Sequence, residues 1–188
     1  MADTPEFSAF VRAHSTTLLR AAYLLTGDRA SAEDLVQETF LRLYPRWSRV
    51  QDADVPLAYV RRSLTNNFIN SRRRIGREVL VAEPPERGYF LDPAGPLGDR
   101  QLVRGLLAGL PAKQRAVLVL RFYSGLSDAE IAADLGCREG TVRSIVSRGL
   151  AALRTETERS ATERGGPEPS RPDRTRPRDI SPTNGNLR

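Results

Sequence analysis

The segment that most constrains the fold lies at residues 127–153. Ser127 precedes a short apolar stretch and Glu130 follows three residues later, which is the capping-box spacing that starts a helix. Gly136 comes directly after Leu135, where a tight turn between two helices requires a positive φ angle. Apolar and small residues then share one face of the next helix: Val142, Ile145, Val146, Gly149 and Leu153. Because these features fall in register, they predict a helix-turn-helix.

The second helix of this motif turns a polar face outward near its N-terminal half. Its members are Thr141, Arg143, Ser144, Ser147 and Arg148. In a helix-turn-helix this part of the second helix enters the DNA major groove, so we predict that these residues contact DNA bases. An ordinary helical hairpin with a polar outer face is the alternative. Cys137 is expected to pack at the turn as a small hydrophobic residue.

Apolar residues recur with a helical period through most of the first 155 residues, and no stretch alternates with period two for long. The sequence therefore predicts an all-α protein of two small helical domains, at residues 5–78 and 98–155. Residues 79–97 are predicted to be a Pro-rich linker, because four prolines and two glycines oppose helical hydrogen bonding there. Residues 156–188 hold five prolines and lack aromatic residues, so we expect a disordered C-terminal tail.

Helix boundaries follow from turn and cap residues. The first helix is expected to end at Gly27, and the second to begin at a cap on Asp28 or Ser31. Apolar spacing carries the second helix to about Trp47. Helical patterning in the second domain ends near Arg154.

The charge distribution favours a polyanionic partner. The 188-residue chain has 29 basic and 23 acidic residues, a net charge of +6. Residues 61–78 hold six arginines against one acid, and residues 101–154 hold eight basic residues against four acids. Two basic clusters on one chain suggest two contacts with one long polyanion, although solvated arginine-rich faces are the alternative.

Several classes of protein are disfavoured by what the chain lacks. One Cys and one His leave no set of zinc ligands, so we expect neither a metal nor a cofactor. The longest apolar run has five residues, far fewer than the ~20 that a membrane span needs. The N-terminal residues also lack the apolar core of a signal peptide, so we expect a cytoplasmic protein without membrane insertion.

The second predicted helix has two distinct faces. One is an apolar stripe of Val36, Phe40, Leu43 and Trp47. The opposite side, which we name the acidic face, carries Asp34, Gln37, Glu38 and Leu41. A leucine beside two acids on an outer face is typical of a protein-binding surface, while an acidic solvated face is the alternative. Glu33, Asp34 and Glu38 could also belong to a metal-dependent nuclease, but no further acidic motif or His supports that interpretation.

The third predicted helix, from Pro56 onward, is divided in the same way. Its core stripe is Leu57, Val60, Leu64 and Phe68. The opposite side, which we name the polar face, carries Tyr59, Arg62, Asn66, Asn70, Arg73 and Arg74. Arginine supplies charge for phosphates, asparagine can bond a base edge, and tyrosine offers a stacking plane. This mixture suits a partly single-stranded nucleic acid better than a membrane surface.

Three stretches, in order, resemble those of bacterial sigma factors. Residues 32–41 (AEDLVQETFL) resemble the helix that binds core RNA polymerase, and residues 56–66 (PLAYVRRSLTN) resemble the promoter-melting segment. Residues 110–122 (LPAKQRAVLVLRF), followed by 125–127 (GLS) and 139–144 (EGTVRS), resemble the C-terminal domain. Two such domains with only a short linker between them are typical of the extracytoplasmic-function (ECF) type.

Two shorter motifs are similar to those of the SigE-like branch in high-GC Gram-positive bacteria: YLLTGD at residues 23–28 and AYVRR at residues 58–62. The resemblance implies an alternative sigma factor, which is not itself an enzyme. It implies that the acidic face binds the clamp coiled coil of the largest polymerase subunit, and that the C-terminal domain binds the flap of the second-largest subunit. An anti-sigma factor is a further candidate partner.

The resemblance also implies two promoter contacts. The N-terminal domain would open the −10 element and hold an extruded base, which we expect a loop near Asn66 to Arg77 to capture. The helix-turn-helix would bind the −35 element. Arg115 lies in the helix before that motif, and we expect it to contact the DNA backbone.

Two other functions are alternatives to a sigma factor. A free-standing helix-turn-helix regulator would leave the acidic face and the basic third helix unexplained. An enzyme acting on nucleic acid is disfavoured because the sequence shows no convergent nucleophile, base or metal set.

Overall fold

The computed structural model describes residues 5–78 and 97–164, with side chains placed for residues 5–73 and 103–159. The N-terminal half (5–78) contains α1 (Pro5–Thr26), α2 (Arg29–Leu43), a 3-10 turn (Tyr44–Arg46), α3 (Trp47–Gln51) and α4 (Pro56–Glu78). The C-terminal half (97–164) contains α5 (Leu97–Ala108), α6 (Ala112–Leu118), a wide π turn (Val119–Tyr123), α7 (Asp128–Leu135) and α8 (Glu139–Arg164). All regular elements in the described ranges are helical, which confirms the all-α prediction. The predictions for residues 79–96 and 165–188 lie outside the described residues.

The junction between α1 and α2 forms as its residues require. Gly27 has φ = 89°, a conformation that side chains with a Cβ rarely adopt. Asp28 is the N-cap, and its carboxylate accepts a hydrogen bond of 2.8 Å from the backbone N–H of Ser31. Helix α2 ends at Leu43, four residues before the predicted end, because Pro45 has no N–H with which to continue it.

Helix α8 is longer than its apolar pattern predicts. It continues to Arg164, ten residues past the expected end at Arg154. These residues include no proline or glycine, and Arg159 pairs with Glu156 one turn earlier at 4.0 Å. The helix propensity of residues 155–164 therefore extends α8 beyond the last residues that pack against the core.

One hydrophobic core joins the two halves of the chain. From the N-terminal half it includes Leu18, Leu25, Val60, Leu64 and Phe68, and from the C-terminal half Leu107, Leu110, Ala116, Leu118 and Val119. Phe7 and Phe10 close one end of it by packing edge-on against Trp47, with ring centroids 5.0 and 4.9 Å away. The two halves therefore pack against each other as one unit.

A second core lies within the helix-turn-helix and consists of Val117, Leu120, Leu126, Ile131, Ala132, Val142 and Ile145. Cys137 packs against its edge, as predicted for a small hydrophobic residue. Gly149 allows α8 to cross close to α6, because a Cβ at this position would lie 3.0 Å from Leu118 Cδ1. This second core fixes the orientation of α8 relative to α7 and thus the direction of its polar face.

Candidate nucleic-acid and polymerase interfaces

The capping box at the start of α7 is formed as the sequence predicts. The backbone N–H of Ser127 donates to Glu130 Oε2 at 2.8 Å, and the backbone N–H of Glu130 donates to Ser127 Oγ at 3.3 Å. Hydrogen bonds from the Ser127 hydroxyl and backbone lower the pKa of the Glu130 carboxyl. Gly136 ends α7 with φ = 60°, and Ile131 and Val142 are buried on either side of this turn. The helix-turn-helix prediction is confirmed.

All five predicted DNA-reading residues of α8 are exposed: Thr141, Arg143, Ser144, Ser147 and Arg148. Within this set, Arg143 lies 3.8 Å from the Glu139 carboxylate, and Arg148 Nε donates to the Ser144 carbonyl at 3.2 Å. An exposed ion pair at this distance contributes little, so Arg143 is free to exchange its partner. The polar face of α8 thus presents two guanidinium groups from one rigid helix.

The polar face of α4 is only partly open. Tyr59, Arg62, Asn70 and Arg73 are exposed, while the side chain of Arg74 lies outside the described residues. Asn66 differs, because it is half-buried and its Nδ2 lies 3.5 Å from the backbone carbonyl oxygen of Asp134 in α7. The neighbouring Arg61, which is not among the predicted DNA contacts, lies 3.8 Å from the Asp134 carboxylate.

The prediction that the residues near Asn66 to Arg77 form a loop is wrong. These residues belong to α4, which is helical from Pro56 to Glu78. Pro56 starts the helix and no proline or glycine follows before Gly76, so nothing interrupts its hydrogen bonding. The irregular segment adjoining the polar face is instead residues 52–55, before α4, where Val55 is exposed.

The predicted DNA-backbone contact by Arg115 is also wrong. Arg115 is only 8% exposed. Its Nη1 donates to the carbonyl oxygen of Leu25 at 2.7 Å, and its Nη2 donates to those of Ala108 at 2.7 Å and Leu110 at 3.2 Å. The carbonyls of Leu25 and Ala108 lie at the C-terminal ends of α1 and α5, where backbone oxygens lack helical donors and attract a cation, and Leu110 follows in the turn after α5.

The Arg115 guanidinium also lies over the ring of Phe68 in α4, with Cζ 5.8 Å from the ring centroid. Burial, and to a lesser degree the charge of Arg72, lowers the pKa of Arg115 to about 10. The side chain therefore stays charged at neutral pH and links α1, α4 and α5. It is a structural residue between the two halves and is not available to a phosphate.

The acidic face of α2 is fully accessible. Asp34, Gln37, Glu38 and Leu41 are all exposed, and Leu41 is 74% exposed. A side-chain network supports this face from behind: Arg42 Nη2 pairs with Glu38, and Arg42 Nη1 donates to Asn67 Oδ1 at 2.9 Å. Asn67 in turn donates to the buried Thr39 hydroxyl at 3.1 Å. The network orients Glu38 and was not visible in the sequence, since Asn67 belongs to another helix.

Within residues 5–78 and 97–164, no group of three or more His, Cys, Asp or Glu is placed to hold a metal ion. None of the helices in these ranges has the length and apolar composition to cross a membrane.

Comparison with known proteins agrees with this arrangement. Residues 10–78 match the family described as "Sigma-70 region 2", and residues 100–153 match "Sigma-70, region 4". The "RNA polymerase sigma-E factor" of Streptomyces coelicolor is 36% identical over 156 residues, covering 83% of this chain and 88% of that protein. The "ECF RNA polymerase sigma factor SigL" of Mycobacterium tuberculosis is 37% identical over 146 residues, covering 75% and 82%.

Among solved structures, the sigma factor RpoE of Bartonella quintana, in complex with the anti-sigma factor NepR, is 27% identical with a TM-score of 0.63, covering 82% of this chain and 98% of that one. The fold and the two matched regions define a protein of the sigma-70 family. Within it, the chain belongs to the extracytoplasmic-function RNA polymerase sigma factors, as its motifs predict. The match to region 2 argues against a free-standing regulator built on the helix-turn-helix alone.

Proposed function

We propose that this chain binds core RNA polymerase in the cytoplasm and directs it to a specific set of promoters, without catalysing a reaction itself. The single observation that carries the proposal is that one chain combines a DNA-reading helix with a separate protein-binding surface. The outer face of α8 supplies the first, and the exposed Leu41 among acids on α2 supplies the second. A regulator that acts without polymerase contact has no need of the second surface.

In this proposal α8 reads the −35 element. Arg143 and Arg148 are exposed, rigidly mounted and able to bond guanine through the major groove, where arginine forms two hydrogen bonds to O6 and N7. Thr141, Ser144 and Ser147 lie on the same face and can contact phosphates or base edges. The domain from residue 98 to 155 would thus bind both the −35 element of the promoter and the polymerase flap.

The domain from residue 5 to 78 would bind the −10 element through the polar face of α4. Arg62 and Arg73 are exposed and supply positive charge for phosphates. Tyr59 offers a ring for base stacking, and Asn70 offers a donor and an acceptor. Opening the duplex costs a few kcal/mol per extruded base, so promoters with an easily unstacked −10 step should be preferred.

The acidic face of α2 would bind the clamp coiled coil of the largest subunit. Leu41 would supply the apolar area, since burying a leucine side chain contributes about 1.5–3 kcal/mol. Asp34 and Glu38 would set the orientation through charge. An anti-sigma factor is a further proposed partner, supported by the similarity to a sigma factor that was solved with one.

Run-off transcription with purified core polymerase tests the proposal. The chain should give specific starts from its own promoters with no other sigma factor present. Promoters can be found by sequencing transcript starts after induced expression. A requirement for a second sigma factor would instead establish the chain as a free-standing regulator.

A further inference from the structure

A pocket of about 410 Å³ lies between α4 and α6, at the turn that leads into α6. Four of the side chains that line it are cationic: Arg72, Arg73, Lys113 and Arg115. No carboxylate is among the described residues that line it, and Ile69 and Leu110 add apolar surface. Its volume lies within the range of small-molecule sites, about 300–1,000 Å³. The pocket therefore combines the size of a ligand site with charge of a single sign.

The four cations differ in depth. Arg115 is buried and bonded to backbone carbonyls, so it forms the floor of the pocket. These partners are uncharged, and the buried Nε of Arg115 has no hydrogen-bond partner among the described residues. Arg72, Arg73 and Lys113 are exposed and surround this floor. The charge at the base of the pocket is thus solvated by dipoles alone.

Two of the guanidinium groups are crowded together. Cζ of Arg72 and Cζ of Arg115 lie 5.9 and 5.8 Å from the centroid of one ring, that of Phe68. After burial, the charge of Arg72 is the second cause that lowers the pKa of Arg115. Neither Arg73 nor Lys113 forms an ion pair with another described residue. An anion in the pocket would relieve this repulsion.

The charge and the donors of the pocket suit phosphoryl groups. A guanidinium bonds two phosphoryl oxygens through parallel N–H groups, and an ammonium acts as a compact point charge on a third. One carboxylate would leave most of the positive charge unopposed, whereas linked phosphoryl groups carry several negative charges in a small volume. Arg72 and Lys113 lie outside the polar face of α4, so a DNA strand on that face has no need of them.

We propose that this pocket binds a free polyphosphate anion, such as the triphosphate group of a nucleotide. Arg72, Arg73 and Lys113 donate to its oxygens. Arg115 stays bonded to its carbonyls and contributes only its charge from below. The site is additional to the DNA and polymerase surfaces and does not depend on the proposed function. A basic surface that is merely solvated is the alternative that the experiments must exclude.

Calorimetric titration of the full-length chain with sodium tripolyphosphate, without divalent cations, measures binding directly. Lys113→Gln should weaken the affinity about fivefold or more, because one charge beside the anion is lost. Lys113→Arg keeps that charge and should stay within about twofold of wild type. Arg49→Gln is the matched control, since Arg49 is exposed on α3, and it should also stay within about twofold. Equal losses in Lys113→Gln and Arg49→Gln would show a response to net charge alone and overturn the inference.

Chemical footprinting locates the bound anion. Lys113 is the only lysine among the 188 residues, so an amine-acetylating reagent reports on this side chain, with the α-amino group as an internal reference. Tripolyphosphate at about ten times its dissociation constant should slow acetylation of Lys113 about five- to tenfold and leave the α-amino group unaffected. Sulfate at equal ionic strength should change either rate less than about twofold. Equal protection by the two anions, or none by tripolyphosphate, would refute the site.

A single-stranded oligonucleotide of mixed sequence, about 20 nucleotides long, distinguishes a free polyphosphate from the DNA backbone. At equal phosphate concentration it should protect Lys113 less than tripolyphosphate does. Protection by the oligonucleotide without protection by tripolyphosphate would assign the pocket to DNA and overturn the inference. None of these measurements involves polymerase or a promoter, so failure of the proposed function would leave their outcome unchanged.

Discussion

Arg115 Nη1 and the carbonyl oxygen of Leu25 are 2.7 Å apart, and this hydrogen bond joins residues that are 90 positions apart in the chain. The same guanidinium also donates to the carbonyl oxygens of Ala108, at the C-terminal end of α5, and of Leu110 in the following turn, and it lies over Phe68. A side chain with this many acceptors fixes the angle between the N-terminal and C-terminal halves. Its position therefore matters for the stability of the packed halves.

Replacing Arg115 with Ala should destabilise the protein by about 2–4 kcal/mol, because three backbone carbonyls lose their donor and a cavity opens beside Phe68. Arg115→Lys should recover only part of the loss, since an ammonium lacks the planar fork that bonds several carbonyls at once. Urea unfolding followed by circular dichroism measures both effects. The salt dependence of DNA binding should not change in either variant, whereas a slope lowered by about one unit would show that Arg115 does contact phosphate.

Substitutions on the acidic face of α2 should abolish binding to core polymerase without unfolding the chain. Leu41→Asp removes the exposed apolar side chain, and Glu38→Arg reverses a charge that Arg42 orients. Ala13→Asp introduces the same charge at an exposed position of α1 and serves as the control. A pull-down with core polymerase measures the association. Retention of Leu41→Asp and Glu38→Arg at the level of the control would contradict the assignment of this face.

Features set by neighbouring residues could be predicted from the sequence. The Ser127–Glu130 capping box, the left-handed Gly136 and the core stripe of Val60, Leu64 and Phe68 all depend on spacings of four residues or fewer. The exposed acidic face of α2 follows from the same helical period. Each of these signals is local, so the packing of the two halves does not alter it.

Features set by distant packing could not be predicted in the same way. The partners of Arg115 and Asp134 lie in the other half of the chain, and no spacing in the sequence indicates them. One feature of the sequence does indicate that Arg115 is buried. Arg115 directly precedes the apolar run 116–120, and all six residues from 115 to 120 are buried. A run of this kind indicates a helix covered on every side, where an arginine must bond within the protein.

The two arginines of α8 should differ in what they contribute to the −35 contact. Arg148 lies deeper in the helix than Arg143, and its Nε is already oriented by the Ser144 carbonyl. Arg148→Ala should therefore cost about 1–3 kcal/mol of binding free energy and relax the preference at one base pair, as expected for loss of a bidentate contact to guanine. Arg143→Ala should lower affinity more evenly across sequences, since Arg143 shares its charge with Glu139 near the start of the helix.

Run-off transcription across a library of −35 variants measures both changes. Arg154→Ala is the matched control, because Arg154 is exposed on the same helix but lies beyond the part that would enter the groove. It should lower affinity only slightly and leave every base preference unchanged. If wild type, Arg143→Ala and Arg148→Ala all showed the same base preferences, α8 would not be the element that reads the −35 sequence, whatever happened to overall affinity.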